Sequence, residues 1–293
     1  MMKRLIQKLL NSIGYEIHRV PGKNLQLDLY KKLYSADSIT NKRFYNIGSG
    51  GFSHPFWTNV DYDSEWYASN RANTLNGIQY DLFSLEPLPI ADNSAEVAYS
   101  SHTIEHISNA AAQNMFNEVH RILKPQGIFR ITTPNMDLEY RAYRENDRHY
   151  FYWIDAYSIR KNWERVKYNR SLSDASIEQI FLTHFASSVS TLHVDGAPER
   201  IDDEELNVLF EKLKYEEALD YCIAKCSIET QKKYPGNHIN WWNFKKASSM
   251  LTKAGFSRIH LSGYGQSFCP VLRNTDLFDK THPKLSLYVE AIK

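Results

Sequence analysis

The chain has 293 residues, of which 42% are hydrophobic, enough for one large domain or for a core domain with a big insertion. Lysine and arginine total 35 against 34 acidic residues, and the net charge of +1 gives no global electrostatic reason to expect nucleic acid as a partner. Three cysteines, Cys222, Cys226 and Cys269, are too few for a disulfide framework. We therefore expect reduced thiols and a cytoplasmic location.

The first 20 residues combine Lys3, Arg4 and Lys8 with apolar side chains at helical spacing. Charge interrupts the apolar run, so we predict neither a signal sequence nor a membrane-spanning helix here. The spacing predicts a short amphipathic helix, in a lead-in that covers residues 1–41. Two interpretations stay open: the helix packs on its own domain or on a partner, or it makes reversible contact with an anionic membrane surface.

From residue 42 onward, short apolar segments alternate with helical ones, which is typical of a parallel α/β sheet. Proline and glycine in the run Lys124–Gly127 mark the end of one helix. We therefore predict a doubly wound α/β fold. Its predicted strands are 43–47, 57–61, 78–80, 96–100, 128–134, 257–264 and 286–292, and its predicted helices are 109–123 and 243–254.

The alternation stops between about residues 135 and 240. This segment is aromatic, charged and helical in pattern, and it is too long to be a structureless loop in a compact domain. We predict a large helical insertion at 136–240, between strands 5 and 6, which contains an acidic amphipathic helix at 202–225. Residues 42–135 and 241–293 then complete one core around it.

Small and polar residues follow the predicted strands at their carboxyl ends, where a doubly wound sheet binds its ligand. Gly48, Gly50 and Gly51 follow the first strand and allow a ligand to approach the backbone closely. Asp61 ends the second strand, where its carboxylate can accept hydrogen bonds from both hydroxyls of a ribose. Asp81 follows the third strand and can accept from an adenine amino group. The dinucleotide fingerprint G-x-G-x-x-G is absent.

The chain resembles the class I methyltransferases of the methyltransferase-domain family in several runs of sequence. They are FYNIGSGG, TNVDYD, YDLFSLEPLPIADNSAEVAYSSHTIEHIS and NEVHRILKPQGIFRITTPN, with AGF and SLYVEAIK near the C-terminus. The resemblance covers roughly residues 43–135 and 241–293. It implies a Rossmann-like sheet of seven strands with the last strand antiparallel.

The resemblance also implies S-adenosylmethionine as the cofactor, with its ribose on Asp61 and its adenine near Asp81. Many members carry an acidic residue at the position of Asn46, so here a neutral hydrogen bond to the methionine amino group replaces a charged one. The predicted cofactor-binding residues are Asn46, Gly48, Ser49, Gly50, Asp61, Tyr62, Asp81, Leu82, Phe83, Ser100 and Ser101.

The run SSHTIEHIS places His102, Glu105 and His106 on one face of a helical turn after the fourth strand. Three interpretations are open: a structural turn, a histidine general base oriented by Glu105, or a divalent-ion site. Two histidines and a carboxylate suit Zn²⁺, Mn²⁺ or Fe²⁺ better than Mg²⁺, which prefers oxygen ligands. We favour the metal-free base, because a neutral imidazole accepts a proton near pH 7.

Two further features bear on catalysis. His238 lies where the insertion re-enters the core, and in similar enzymes this junction lies near the acceptor; it is a candidate catalytic residue or a structural histidine. The string HTIEH also matches the H-x-x-E-H motif of zinc peptidases. That motif needs a long helix, whereas this one directly follows a predicted strand, so we disfavour a peptidase.

Arg144, Arg148 and His149 lie in residues 139–170, which interleave arginines with aromatic side chains. They are our candidate acceptor-binding residues, because guanidinium groups hold phosphate and flat rings stack on sugars. A solvated, amphipathic cap is the other interpretation. We predict O-methylation of a sugar or sugar-phosphate in glycan or cell-envelope biosynthesis. A small-molecule or RNA methyltransferase and a non-catalytic cofactor-binding scaffold are alternatives, and the oligomeric state stays open.

Overall fold

A computed structural model describes residues 23–63, 77–153, 168–194 and 199–293, together with the single positions 6, 10 and 12. The predicted amphipathic helix of residues 1–20 therefore lies outside the described residues, apart from those three positions. No helix within the described ranges is long and apolar enough to cross a membrane.

The core is a sheet of seven strands, counted over the described residues, in the order β3-β2-β1-β4-β5-β7-β6. Neighbours pair in parallel except β7, which runs antiparallel to both β5 and β6. This confirms the doubly wound, Rossmann-like sheet with its last strand reversed. The strands are β1 (Phe44–Ile47), β2 (Trp57–Asp61), β3 (Ile78–Gln79), β4 (Ala95–Ser101), β5 (Leu123–Pro134), β6 (Arg258–Leu261) and β7 (Ser286–Ile292).

The centre of the sheet is the pair β1 and β4. All four residues of β1 are buried, as expected for a parallel strand that is covered on both faces. From β1 the chain adds β2 and β3 on one side, and it then returns to place β4 and β5 on the other. The strand order therefore reverses between β1 and β4, and this reversal opens a crevice at their carboxyl ends.

The proline and glycine of the run Lys124–Gly127 predicted a turn between a helix and the next strand. In the structure this run lies inside strand β5. The helix ends at Ile122, and Leu123 already pairs with Ala95 of β4. The register of the β4–β5 pairing then shifts, and Gln126 adopts a positive φ of 68°. The turn residues thus form an irregularity inside β5, because its ends on both sides are held by pairing.

The described part of residues 136–240 consists of helices, short 3₁₀ turns, connecting loops and isolated bridges, in line with the predicted helical insertion, and it forms most of a separate hydrophobic cluster. We call this segment the cap; its limits as a separate domain remain a prediction. The predicted acidic helix at 202–225 is two helices, because Leu213 is extended and Glu217 caps the second one at Lys214. The helices are α1 (Lys23–Leu33), α2 (Ala36–Thr40), α3 (Asn109–Ile122), α4 (Met136–Arg144), α5 (Ile177–Thr183), α6 (Asp203–Lys212), α7 (Tyr215–Ala224), α8 (Ile228–Lys233) and α9 (Phe244–Lys253).

A buried ion-pair cluster ties the segment between β6 and β7 to the sheet. Arg130 of β5 donates to both carboxylate oxygens of Asp279, at 2.9 and 2.6 Å, and its Nη1 lies 3.3 Å from Glu290 of β7. None of the three side chains is exposed to solvent. A buried charge is stable only when it is paired, so Arg130 holds the side chain of Asp279 in place. The position of the neighbouring Lys280 follows from that of Asp279.

We expect Arg130→Met to lower the free energy of unfolding by about 3–5 kcal/mol, because it leaves two carboxylates buried without their cation. Denaturant unfolding measures the change. The control is Arg258→Met on β6, where the guanidinium is exposed and should contribute within about 0.5 kcal/mol. Equal midpoints for the two variants would show that the cluster does not hold the fold together.

Candidate functional site

A cavity of about 600 Å³ opens at the carboxyl ends of β1, β2 and β4, where the strand order reverses. Its lining includes all of the predicted cofactor-binding residues except Ser100. Residues from the cap and from the segment between β6 and β7 complete it. The lining residues that sequence reasoning missed are Ile47, Phe52, Val60, Tyr80, Tyr99, Thr103, Ile107, Gln231, Lys232, Pro235, Leu277, Lys280 and Thr281.

The glycine loop after β1 is shaped to receive a ligand. Gly48 has a φ of 69° and Gly50 a φ of 51°, a left-handed conformation that favours glycine. A Cβ atom at Gly48 would also collide with the side chain of Thr103. The loop can therefore lie this close to the turn after β4 only because Gly48 lacks a side chain.

The carboxylate of Asp61 organises the loop and faces the cavity. Its Oδ2 accepts from the backbone of Gly50 at 2.6 Å and from the hydroxyl of Ser49 at 3.3 Å. Its Oδ1 accepts from the backbone of Tyr62 at 2.8 Å. Burial raises the pKa of Asp61, while these hydrogen bonds act in the opposite direction. Both lone pairs of Oδ2 are thus engaged, whereas Oδ1 keeps one with which the carboxylate can accept from a ribose hydroxyl.

Asn46 offers the cavity a buried acceptor. The side chain is 4% exposed, and its Oδ1 has no hydrogen-bond partner among the described residues. A buried amide oxygen without a donor is costly, so a donor from a ligand would satisfy it. The amino group of a bound S-adenosylmethionine is such a donor, and the residues present therefore fit the cofactor that the sequence predicted.

Two predicted cofactor contacts are modified by local structure. Asp81 lines the cavity, but its Oδ1 accepts from the backbone of Phe83 at 2.9 Å and so also caps the turn Leu82–Ser84. The structure does not support the predicted cofactor contact of Ser100. Its hydroxyl donates to the carbonyl of Ile47 at 2.9 Å, inside the sheet. Side chains alternate along β4, so Ser101 and not Ser100 faces the cavity.

His102 and Glu105 form a contact at the cavity wall. The Nδ1 of His102 lies 3.0 Å from Oε1 of Glu105, and its Nε2 lies 2.8 Å from the hydroxyl of Ser286. His102 also has a positive φ of 50°, a strained conformation for a residue with a side chain. Because both ring nitrogens are engaged, His102 could act as a general base only after giving up one of these contacts.

Glu105 is 1% exposed and lies behind the wall, where its Oε2 accepts from the hydroxyl of Thr133 at 3.1 Å. Burial alone would raise its pKa, but the imidazoles of His102, His106 and His238 lower the pKa to about 2. Glu105 is therefore a buried carboxylate that stays ionised.

His106 lines the cavity, and His238 lies behind it with the two rings edge to face, 4.6 Å apart. The Nδ1 of His106 lies 2.9 Å from the carbonyl of Asn237, and the Nδ1 of His238 lies 2.5 Å from the carbonyl of His184. A carbonyl can only accept, so both histidines donate from Nδ1 and carry a lone pair on Nε2 when neutral. Burial lowers the pKa of His238 well below its ordinary value.

The cap is fastened to this same turn. The backbone carbonyl of Glu105 accepts from the amides of Ile239 and Asn240, at 2.9 and 3.1 Å. The side chain of Gln231 donates to the carbonyl of His106 at 2.9 Å. The segment in which the cap re-enters the core thus supplies the hydrogen bonds that the turn after β4 requires.

The predicted cluster of His102, Glu105 and His106 is therefore only partly correct. The turn is a single 3₁₀ turn, Ile104–His106, and not a longer helix, which removes the support for an H-x-x-E-H peptidase. Within the described ranges, the group whose ligand atoms come within 4.8 Å of one another is Glu105, His106 and His238. His238 replaces His102 because the re-entering cap segment carries it across the turn.

The predicted acceptor residues of the cap do not line the cavity in the part of the chain that the structure describes. Arg148 donates to three backbone carbonyls, those of Ala175, Leu172 and Ser173, which gives it a structural role. Arg144 and His149 are exposed at the surface of the cap. An acceptor role for these residues stays a prediction, and the cations that do border the cavity are Lys232 and Lys280.

Comparison with known proteins identifies the class. Residues 47–131, from the end of β1 into β5, match the family described as methyltransferase domain. No curated protein matches the chain. A solved S-adenosylmethionine-dependent methyltransferase from Mesorhizobium loti is 13% identical, covers 86% of this chain and 90% of its own, and has a TM-score of 0.38. One from Archaeoglobus fulgidus is 11% identical over 100% of both chains, with a TM-score of 0.39. Scores this low add nothing about the site.

The strand order, the glycine loop and the carboxylate at the end of β2 define a class I methyltransferase fold. Together with the family match, they show that the chain contains a class I S-adenosylmethionine-dependent methyltransferase domain. It is an enzyme, and its cofactor is S-adenosylmethionine.

We expect Asp61→Ala to weaken the binding of S-adenosylhomocysteine by about 1.5–3 kcal/mol, because the charged acceptor for the ribose is lost. Isothermal titration calorimetry measures the effect. The control is Asp276→Ala, which removes an exposed aspartate outside the cavity. If Asp61→Ala keeps its fold and binds as tightly as the control, Asp61 does not hold the ribose.

Proposed function

We propose that this enzyme transfers the methyl group of S-adenosylmethionine to a hydroxyl oxygen of a sugar-phosphate, in the biosynthesis of a glycan. The observation that carries the proposal is the distribution of charge around the cavity. Asp61 and Asp81 line it at the ends of β2 and β3, next to the glycine loop. Lys232 from α8 and Lys280 from the β6–β7 segment border it from two other elements.

The two lysines are suited to an anionic acceptor. Both are exposed, and neither forms an ion pair with any described residue. Two exposed cations beside a cavity attract and orient a phosphate group. The carboxylates of the cavity lie on the side that the cofactor would occupy. The lysines come from other elements, so we assign them to the binding of the acceptor.

The reaction itself places few demands on the protein. The carbon–sulfur bond of the sulfonium breaks as the new carbon–oxygen bond forms, so the enzyme must hold sulfur, methyl carbon and acceptor oxygen in line. The acceptor hydroxyl must also lose its proton. His102, His106 and the ionised Glu105 behind them are the titratable groups of the cavity wall on which this step would depend.

The first test is a panel of acceptors. Sugar-phosphates and the same sugars without phosphate are incubated with the protein and S-adenosylmethionine, and the release of S-adenosylhomocysteine and the mass of the product are measured. We expect methylated product from phosphorylated sugars. Turnover of unphosphorylated sugars alone, or of RNA alone, would contradict the proposal.

The second test removes the cations. We expect the double variant Lys232→Gln/Lys280→Gln to raise KM for a sugar-phosphate about tenfold, which corresponds to about 1.4 kcal/mol, with unchanged affinity for S-adenosylhomocysteine. The matched control, Lys212→Gln/Lys214→Gln, removes two exposed lysines elsewhere on the cap. An unchanged KM in the first variant, or an equal rise in the control, would show that the lysines do not bind the acceptor.

A further inference from the structure

We propose that Glu105, His106 and His238 bind one divalent transition-metal ion of the Zn²⁺ type in the wall of the cavity. One ligand atom from each of the three residues lies within 4.8 Å of the other two. Tetrahedral bonds of about 2.0–2.2 Å place ligand atoms about 3.4 Å apart, so binding an ion requires these side chains to move together by up to about 1.4 Å. Two imidazoles and one carboxylate are a donor set that suits Zn²⁺ and leaves a coordination position open.

Both imidazoles are oriented as metal ligands are. Histidines that bind a metal donate their other ring N–H to a carboxylate or a backbone carbonyl, which fixes the tautomer and the ring plane. Here Nδ1 of His106 meets the carbonyl of Asn237 at 2.9 Å, and Nδ1 of His238 meets that of His184 at 2.5 Å. In the neutral form, the lone pair of each ring is then on Nε2, the nitrogen that would bind the ion.

The carboxylate is oriented in the same way. Glu105 has almost no exposed surface, and a buried carboxylate is retained only with partners. Its Oε1 lies 3.0 Å from Nδ1 of His102, and its Oε2 accepts from Thr133 at 3.1 Å. Each oxygen has a further lone pair for an ion. His102, which Ser286 holds through Nε2, thus orients the ligand without belonging to the set.

The position of the site gives the ion access to the cavity. His106 lines the cavity, whereas Glu105 and His238 lie behind it. An ion held there would act as a Lewis acid that lowers the pKa of the acceptor hydroxyl, whose proton passes to water while the methyl group moves from sulfur to oxygen. Only this role rests on the proposed function; the binding of the ion does not.

The test measures metal binding without any acceptor. The protein is stripped with a chelator and titrated with Zn²⁺ in a calorimeter, and Co²⁺ is added to a second sample to record its visible absorption. We expect one ion per chain and a Co²⁺ spectrum of low coordination number. Glu105→Gln and His238→Ala should each weaken Zn²⁺ binding at least tenfold, since loss of an outer-shell partner alone typically costs 10–100-fold.

The control variant is His260→Ala, which removes a histidine from β6 and should leave Zn²⁺ binding unchanged. Glu105→Gln preserves the size of the side chain, and its melting temperature without metal reports whether the fold is intact. Zn²⁺ should raise the melting temperature of the wild type and not that of Glu105→Gln. Wild-type protein that binds no Zn²⁺ or Co²⁺, or that binds them as the folded Glu105→Gln variant does, would overturn the proposal.

The two proposals fail separately. Stoichiometric Zn²⁺ binding that needs Glu105 supports the metal site even if no sugar-phosphate is methylated. Methylation of a sugar-phosphate by chelator-treated protein that binds no Zn²⁺ supports the proposed function and overturns the metal site.

Discussion

The turn after β4 is buried between the sheet and the cap, and this burial is the constraint on which the site depends. His102 and His106 face the cavity, but Thr103, Ile104 and Glu105 are buried, so their polar groups need partners within the protein. The backbone carbonyls of Glu105 and His106, and the Nδ1 of His106, find their partners in residues 231–240, more than a hundred positions further along the chain. The cap cannot dock elsewhere without leaving this turn unsatisfied, and the cavity wall cannot form without the cap.

That constraint explains why the two halves of the cavity have different origins. The cofactor half is built from strand ends that are close in sequence and held by the parallel pairing of β1, β2 and β4. The other half, where we propose that the acceptor binds, is assembled from the cap and from the β6–β7 segment. Lys280 reaches it because the buried pair of Arg130 and Asp279 holds that segment against the sheet. Lys232 reaches it because Gln231, beside it on α8, is bound to the turn.

Local pattern was sufficient to place most of the predicted cofactor residues in the lining of one cavity, and their roles stay a prediction. Asn46, the glycine loop and Asp61 follow or end strands whose apolar runs are visible in the sequence, and the carboxyl ends of parallel strands meet at one edge of a sheet. The errors here are small and have local causes. Ser100 was included because its strand was correct but the alternation of its side chains was not applied. The irregularity in β5 was predicted to be a turn at the end of a helix. Proline and glycine end helices, but they also interrupt the hydrogen bonds between paired strands.

Composition was a poor guide to which cations border the cavity. Arg148 stands in an aromatic, basic run that is typical of a phosphate site, yet its guanidinium is consumed by the carbonyls of a neighbouring turn. A guanidinium group donates hydrogen bonds to backbone carbonyls as readily as to a phosphate. The sequence pattern alone does not show which of these acceptors it meets. Lys232 and Lys280 lie outside that run, in segments that have no interleaved arginines and aromatic side chains.

The sequence by itself determined the class of the protein, because strand periodicity, glycines and strand-end carboxylates are local features that act through the backbone. It also marked the histidines and glutamate after β4 as candidate functional residues. Only the tertiary structure decided which of them lie together. His238 lies beside Glu105 and His106 although it is far away in sequence. The reason is that polar groups of the buried turn and of the re-entering cap segment form hydrogen bonds with each other when the protein folds.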